Sequence, residues 1–401
     1  MLLNRFFAYI LISGMLFFMV SCNGNKHQKK APVKSYKAWK TGFVYEDVKA
    51  EGDSSIFYAV YLPKSYDIKS ANRILFIFDA HARGSLPIKK YKTLSEKYNI
   101  IIAASNNSKN GQSATERNHV ITAFMSDVEK QFNIDNTKIY TAGFSGGARV
   151  ATLIALFNSN VAGVIGCAAG FPQVQNPVNK GFTWVGVVGN KDFNFLELKN
   201  LNRQLTANGW KSHLLVFDGK HEWPPEDVMD EAFQIVINGK SKNHTYDYKD
   251  NSSGRTMENI EIQQQKVLAR AMEEKDLKWW NNEITQLEND TNTTVAKNKS
   301  LMNHRLLNYL SMIAYIYTDR AFKLNRIDLA SKYLSIYERV DPENPDMFFF
   351  MAVKFVLLKE DKQAIAALKK AIDKGFDDFP KLNSEHAFDR LRSKSDFPTS
   401  K

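Results

Sequence analysis

The chain has 401 residues, of which 44% are hydrophobic and 24% charged, with a formal net charge of +11. These values are ordinary for a globular protein, which excludes a collagen-like or a wholly disordered chain, and the length is enough for two domains. No nucleic-acid motif accompanies the lysines, which are scattered among acidic residues, so we interpret the excess charge as a solvated basic surface and predict no nucleic-acid partner.

The first 22 residues have the features of a bacterial lipoprotein signal peptide. Arg5 precedes an apolar run over residues 6–20, which has the length of a signal peptide and is short for a membrane span. The run ends in Met19-Val20-Ser21-Cys22, which resembles a lipobox, although Met19 stands where Leu is more usual. The resemblance implies that Cys22 is acylated and anchors the protein to a bacterial membrane on its extracytoplasmic side, periplasmic or at the cell surface. An ordinary signal peptide with a stray cysteine is the alternative.

Residues 23–39 are polar, basic and aperiodic, and we predict that they form a tether between the membrane and the first domain. Cys167 is the only other cysteine of the chain. It lies on a predicted buried strand, so we expect a free core thiol and no disulfide framework.

Residues 40–240 alternate between short apolar runs and amphipathic helical patterns, which predicts an α/β domain with a doubly wound, mostly parallel sheet. The runs RILFIF at 73–78 and NIIIAA at 99–104 are continuously apolar, as in strands that are buried on both faces. Strands are predicted at 43–50, 55–62, 73–78, 99–104, 138–141, 161–169, 183–188 and 213–217, and helices at 87–98, 117–132, 148–157, 196–208 and 229–237.

Residues 143–147 read GFSGG, a G-x-S-x-G match between a predicted strand and a predicted helix. In that context the motif indicates a nucleophile elbow, in which a sharp turn exposes the serine. Glycines are needed because the turn strains the backbone and brings it close to its neighbours. The alternative is a chance match in a turn rich in Gly and Ser.

Three polar residues follow three predicted strands, at the edge of the sheet where parallel α/β proteins carry their chemistry. They are Ser145, Asp192 and His221, in the order serine, acid, histidine. Ser145 would be the nucleophile, His221 the general base, and Asp192 the group that orients the imidazole. Asp218 is the alternative acid, and it lies in residues 218–225, the loop that contains His221 and is called the histidine loop below. His213 lies inside a predicted strand and is expected to be a packing residue.

The segments GFSGG at 143–147, GNKDFN at 189–194 and DGKHEWPP at 218–225 together resemble the α/β-hydrolases, and within them the small secreted serine esterases. The resemblance covers about residues 40–240. It implies an acyl ester as substrate and an acyl-enzyme on Ser145, and it implies no metal and no cofactor.

The backbone N–H of Gly146 should be one oxyanion donor, because it begins the helix that follows the serine. The second donor should come from His81 or Ala82, in a loop that departs from the His-Gly of many esterases and leaves the choice open. The aromatic residues predicted to wall the pocket, with core packing as the alternative, are Phe144, Phe193 and Trp223.

Residues 241–300 are predicted to be a linker and helical connector, with a helical pattern over 258–287 that is interrupted near Trp279-Trp280. Residues 301–401 are predicted to be helical almost throughout. Two pairs of residues there, Ala330 with Ala364 and Leu334 with Leu368, are 34 residues apart. This resembles tetratricopeptide repeats, with copies at about 311–342 and 345–376 and a closing cap near the end. Plain helical hairpins are the alternative.

The sequence thus predicts a membrane-anchored extracytoplasmic serine hydrolase that cleaves acyl esters of carbohydrates or small molecules. The helical region would bind a protein or peptide in its groove, as repeat proteins do, or would only cover the hydrolase. A serine peptidase on the same triad is one alternative. A catalytically idle hydrolase-fold scaffold, with a repeat region that binds a protein partner, is another.

Overall fold

The computed structural model describes residues 36–172, 174, 176–240, 266, 270, 277–292 and 297–398. The chain divides into a unit of residues 1–35 and a compact unit of residues 36–401. The predictions for Cys22, for most of the tether and for the polar linker after residue 240 fall outside the described residues. Among those that are described, no helix has an apolar stretch long enough to cross a membrane.

The first half of the compact unit contains one sheet of eight strands in the order β1-β2-β4-β3-β5-β6-β7-β8. The pairs β1/β2 and β2/β4 are antiparallel. All pairs from β4 through β8 are parallel. The predicted fold class, an α/β domain with a mostly parallel sheet followed by a helical region, is therefore confirmed. The strands are β1 (Val44–Lys49), β2 (Phe57–Tyr61), β3 (Asn72–Phe78), β4 (Ile100–Ser105), β5 (Ile134–Phe144), β6 (Val161–Cys167), β7 (Thr183–Gly189) and β8 (Ser212–Phe217).

Both faces of the sheet are covered, which explains the continuous apolar runs. In β3, Ile74 and Phe76 belong to the core on one face, whereas Leu75 and Ile77 belong to the core on the other. The first core includes residues of α2, α3 and α4, and the second includes residues of α1 and α5. The helices are α1 (Ser85–Tyr98), α2 (Ala114–Gln131), α3 (Gly146–Phe157), α4 (Phe195–Ala207) and α5 (Glu226–Asn238).

The described residues of the second half, 277–292 and 297–398, are mostly helical and have their own apolar core. One helix of this half begins at Leu277 and passes through Trp279 and Trp280 to Asn292. Residues 271–276 lie outside the described part of the chain, so the predicted interruption near Trp279-Trp280 stays a prediction. Trp280 is fully buried and lies on the same helix face as Ile284 and Leu287, so the indole packs in the core. The helices are α6 (Leu277–Asn292), α7 (Lys297–Lys323), α8 (Ile327–Val340), α9 (Pro345–Leu357), α10 (Asp361–Asp373) and α11 (Phe379–Ser384).

The 34-residue spacing coincides with two helix pairs, α7 with α8 and α9 with α10. Ala330 and Leu334 on α8 are buried, as are Ala364 and Leu368 at matching places on α10. After α11, the tail buries Phe388, Leu391 and Phe397 in the same core. The resemblance to tetratricopeptide repeats stays a prediction, since helical hairpins of this length would bury the same positions.

A charged cluster lies where the helical half meets the loop after β3. Lys381 Nζ lies 3.1 Å from the Tyr315 hydroxyl and 3.2 Å from an Asp346 oxygen. Asp378 caps α11 by accepting a hydrogen bond from the Lys381 N–H at 3.0 Å. Burial raises the pKa of Asp378 above its ordinary value, although that hydrogen bond and the charges of Lys381 and Arg83 oppose the shift. The folded chain therefore holds the proton of this carboxyl more strongly than the unfolded chain does.

We expect Asp378→Asn to raise the melting temperature at pH 7, because asparagine keeps the capping acceptor and has no charge to bury. The sign follows from linkage. The unfolded chain loses this proton near the ordinary pKa of 3.8, whereas the folded chain holds it to higher pH, so the wild type loses stability as pH rises through that window. The advantage of the variant should shrink as pH is lowered towards 4 in thermal melts.

Asp361→Asn is the matched control, because its shift has the opposite sign. A hydrogen bond from Lys394 is the main cause that lowers the pKa of Asp361, and the side chain is on the surface. This variant should melt lower than wild type at neutral pH. Equal melting temperatures for wild type and Asp378→Asn across the pH range would contradict the interpretation.

Candidate active site

Ser145 lies in a sharp turn between β5 and α3 with φ of 54° and ψ of −121°. A non-glycine residue adopts such angles only where the surroundings hold it there. The Ser145 N–H donates to the Cys167 carbonyl at 2.9 Å, which ties the turn to β6. The strand–turn–helix context predicted for the motif is present, and the side chain projects from the carboxyl end of the sheet.

Two glycines allow the turn to close. A Cβ on Gly143 would lie 2.2 Å from the Gly147 carbonyl oxygen, and a Cβ on Gly147 would lie 2.0 Å from the Phe78 carbonyl oxygen. The Gly147 oxygen belongs to α3 and the Phe78 oxygen to the neighbouring strand β3, so neither can move away without disturbing a regular element. The sequence predicted this close approach from the glycine spacing alone.

The structure brings Ser145, His221 and Asp192 together in one chain of hydrogen bonds. Ser145 Oγ lies 3.0 Å from His221 Nε2. His221 Nδ1 lies 3.0 Å from both carboxylate oxygens of Asp192. Asp192 is fully buried and also accepts the Asn194 N–H at 2.8 Å, so its carboxylate is held in place. The three side chains come from three different strand ends, as the sequence predicted.

Asp218, the alternative acid, does not reach the histidine. Its carboxylate is 75% exposed and pairs with Lys191 Nζ at 2.9 Å. His213 is half-buried within β8, and burial lowers its pKa. Neither residue takes part in the hydrogen-bonded chain that includes Ser145.

Aromatic rings fix the imidazole of His221. Phe193 stacks on it with ring centroids 4.2 Å apart, and Phe144 lies at 4.8 Å. Trp223 is buried, lies against Phe144 and donates its indole N–H to Asp79 Oδ2 at 2.8 Å. Trp223 therefore ties the histidine loop to the loop after β3, and its burial fits the core-packing alternative rather than the predicted pocket wall.

The loop after β3 is organised by Asp79. Burial opposes ionisation of this carboxyl, but the adjacent Arg83 guanidinium and the Trp223 hydrogen bond outweigh it and hold the pKa of Asp79 below its ordinary value. Asp79 Oδ1 also accepts the His81 N–H at 2.8 Å. That N–H is therefore engaged within the loop, which corrects the expectation that it serves as an oxyanion donor. Ala82, whose N–H makes only a long 3.4 Å contact with the Asp79 carbonyl, stays a prediction for that role.

The loop after β4 also reaches the elbow, which the sequence reasoning missed. A Cβ on Gly146 would lie 1.8 Å from Asn110 Oδ1, so the Asn110 amide lies directly against the first residue of α3. The Asn110 N–H donates to the Ala80 carbonyl at 2.9 Å. The rule that identified the other loops, polar residues at a strand end, applies equally to this one and could have found it.

Helix α7 of the helical half contacts the loop after β7, residues 190–194, which carries Asp192 and is called the acid loop below. Arg305 Nε donates to the Asn190 carbonyl at 2.8 Å, and Asn308 Nδ2 donates to the Lys191 carbonyl at 2.8 Å. The Arg305 guanidinium also lies 3.8 Å from the centroid of the Phe195 ring. These contacts flank Asp192 on both sides in the chain, so the position of the buried acid depends on a helix from the other half.

The same helix continues past the site. Tyr309 lies edge-on to Phe193, the ring that stacks on His221, and Tyr315 lies edge-on to His81. One helix therefore contacts both the acid loop and the loop after β3.

The arrangement can generate a nucleophile without a metal. A serine hydroxyl within hydrogen-bond reach of an imidazole, itself held by a buried carboxylate, can transfer its proton to that imidazole as it attacks. Among the described residues, no group of three or more His, Cys, Asp or Glu side chains could hold a metal ion.

Neither a protein-family model nor a curated protein matches the chain. Solved structures do. The chain is similar to a ferulic acid esterase at 15% identity and a TM-score of 0.39, over 49% of this chain and 98% of that one. It is similar to S-formylglutathione hydrolase (FrmB) from Staphylococcus aureus at 11% and 0.40, over 51% and 98%. It is also similar to Est1E from Butyrivibrio proteoclasticus at 13% and 0.38, over 49% and 100%.

We expect Arg305→Met to loosen the acid loop, because the buried Asn190 carbonyl loses its donor at a cost of about 1–3 kcal/mol. Hydrogen exchange read by mass spectrometry should show faster exchange in peptides that cover residues 190–195, with a lower melting temperature. Arg320→Met, at an exposed position of the same helix, should change neither. Equal exchange at 190–195 in both variants would contradict the bracing role.

Proposed function

We propose that the chain is a serine hydrolase that cleaves carboxylic esters through an acyl-enzyme on Ser145. The observation that supports this best is the hydrogen-bonded chain from Ser145 Oγ through His221 to Asp192, with both links at 3.0 Å. Each member has the environment that its role needs. Ser145 lies in the turn between β5 and α3 and is partly exposed. His221 is partly exposed, and Asp192 is buried.

In the proposed mechanism, His221 Nε2 takes the Ser145 proton while Oγ attacks the carbonyl carbon of the ester. Asp192 holds the Nδ1–H tautomer and stabilises the imidazolium that forms. The imidazolium then protonates the departing alkoxide, and the alcohol leaves. A water then attacks the acyl carbon while His221 Nε2 takes its proton. The bond from the acyl carbon to Ser145 Oγ breaks, the imidazolium returns the proton to that oxygen, and the carboxylic acid is released.

The tetrahedral oxyanion needs hydrogen-bond donors. The Gly146 N–H is proposed as the first, since it opens α3, where backbone N–H groups have no helical partner. Ala82 is proposed as the second. A donor of this kind is typically worth about 3–4 kcal/mol of transition-state stabilisation.

Esters are proposed over peptides because nothing at the described site offers an acidic pair for a substrate amine. Carbohydrate or small-molecule acyl esters are the finer proposal. The helical half is proposed to position the acid loop. A protein or peptide partner for its groove remains a prediction from the 34-residue spacing.

We expect the full chain, purified in detergent, to hydrolyse short-chain 4-nitrophenyl esters. Ser145→Ala and His221→Ala should each lower kcat/KM at least about 10³-fold, because the members of such a unit act together. Asp192→Asn should lower it comparably, since the imidazole loses the partner that fixes its tautomer. Asp218→Asn is the matched control and should retain parent activity, because that carboxylate is exposed and does not contact His221.

A fluorophosphonate probe separates the alternatives. Labelling at Ser145 without hydrolysis of nitrophenyl esters would favour a peptidase or a narrower ester specificity. A folded parent that neither hydrolyses nor labels would refute the serine hydrolase and favour the idle scaffold.

We also propose that Cys22 anchors the protein to a bacterial membrane, on the strength of the Val20-Ser21-Cys22 motif after an apolar run. Cys22→Ala should abolish fatty acylation, measured by mass spectrometry. It should also remove the lipid-anchored protein from the membrane fraction, measured by cell fractionation. Cys167→Ala, which changes only the buried thiol, should leave the anchor intact. A Cys22→Ala chain that is still acylated and membrane-bound would refute the proposal.

A further inference from the structure

A cavity of about 300 Å³ opens beside the elbow. It lies between the start of α3, the loop after β4, the start of α2 and the segment after β6. Gly146 and Gly147 form part of its wall. A group bound in this cavity would therefore lie beside the turn that carries Ser145, the proposed nucleophile. The volume is enough for one substituent of a substrate.

The wall of this cavity is strongly basic. It includes Lys109, Arg117 and Arg149, and its one carboxylate is Asp79, which is already neutralised by Arg83 at 3.0 Å. Three cationic side chains thus face the space with no unpaired acid among the lining residues to balance them.

The three cations are not equally available to a ligand. Arg149 pairs with Glu197 at 2.9 Å and donates to the Phe171 carbonyl at 3.3 Å, so its role is mainly to shape the wall. Arg117 also lines the cavity. Its Nε is shut off from solvent, so a ligand would meet the terminal nitrogens of the guanidinium. No hydrogen bond or ion pair joins this guanidinium to a described residue, so its charge is available to an anion in the cavity.

Lys109 lines the cavity from the loop after β4. No ion pair joins its ammonium group to any described residue. Its charge does help lower the pKa of Glu116, behind the larger effect of hydrogen bonds from Ser113. Glu116 is exposed and caps α2, outside the cavity wall. Lys109 and Arg117 therefore give the cavity two charges that a ligand could neutralise.

The rest of the wall is apolar. Val150 and Leu153 come from α3, and Pro172 and Val174 come from the segment after β6. The cavity therefore suits a compact apolar group that ends in an anion.

We propose that this cavity binds an anionic group of the substrate, so that the preferred substrates are esters that carry a carboxylate, sulfate or phosphate beside a short apolar segment. The proposal rests on the proposed function, since it names the substrate class of that site. Charge selection of this kind weakens at high salt, because ions screen it.

The test measures charge selectivity, the ratio of kcat/KM for an anionic ester to that for a neutral ester of similar size. On the alcohol side the pair is 4-acetoxybenzoate and 4-acetoxybenzamide. On the acyl side the pair is mono-4-nitrophenyl adipate and 4-nitrophenyl heptanoate. Whichever pair shows the selectivity identifies the half of the ester that enters the cavity.

We expect Arg117→Met and Lys109→Met each to lower the selectivity about tenfold, which corresponds to about 1.4 kcal/mol. Arg117→Lys should keep part of it, and 0.5 M salt should lower it in the parent. Lys130→Met is the matched control, on the same helix as Arg117 and about 20 Å along it, and should leave the ratio unchanged. A ratio that is the same in parent, Arg117→Met and Lys109→Met for both pairs would overturn the proposal.

A binding measurement separates this outcome from failure of the hydrolase itself. Calorimetry with 4-acetamidobenzoate, an amide that does not present an ester, should show binding to the parent that Arg117→Met weakens about tenfold, and no binding of neutral acetanilide. This result in a chain that hydrolyses no ester would keep the anion site and refute the esterase. Hydrolysis without charge selectivity, and without binding of 4-acetamidobenzoate, would keep the esterase and refute the anion site.

Discussion

The turn at Ser145 is the constraint on which the rest of the site depends. The hydrogen bond to Cys167 helps hold its backbone at a positive φ. The turn closes only because residues 143 and 147 are glycines, since a Cβ at either position would lie about 2 Å from a backbone oxygen. The turn fixes the direction of the serine and, in the same step, the direction of α3. The proposed oxyanion donor and the wall of the basic cavity both follow from where that helix begins.

Much of this could be predicted from the sequence, because strands buried on both faces are continuously apolar and because parallel strands end at one edge. Those two regularities predict that Ser145, Asp192 and His221 lie close together. They could not decide whether His81 or Ala82 is the second oxyanion donor, because that depends on which backbone N–H donates a hydrogen bond to the Asp79 carboxylate. Arg305 left no local signal either, because its partner is 115 residues away in the chain.

The clustering of charged side chains around the cavity is a second feature that the sequence does not predict. Counted along the chain, the net charge of +11 is consistent with a solvated basic surface. Lys109, Arg117 and Arg149 come from three separate segments with no shared motif, and only the fold gathers them around one cavity. A local concentration of charge is a property of the tertiary structure, and composition cannot report it.

The brace from α7 has a consequence for how the chain matures. The ribosome releases the whole α/β half, including the acid loop, well before it releases Arg305 and Asn308. Until those two side chains arrive, the carbonyls of Asn190 and Lys191 lack the donors that hold them in the finished protein. A chain that ends before Arg305 would therefore lack both donors to this loop, even though the α/β half has apolar cores of its own.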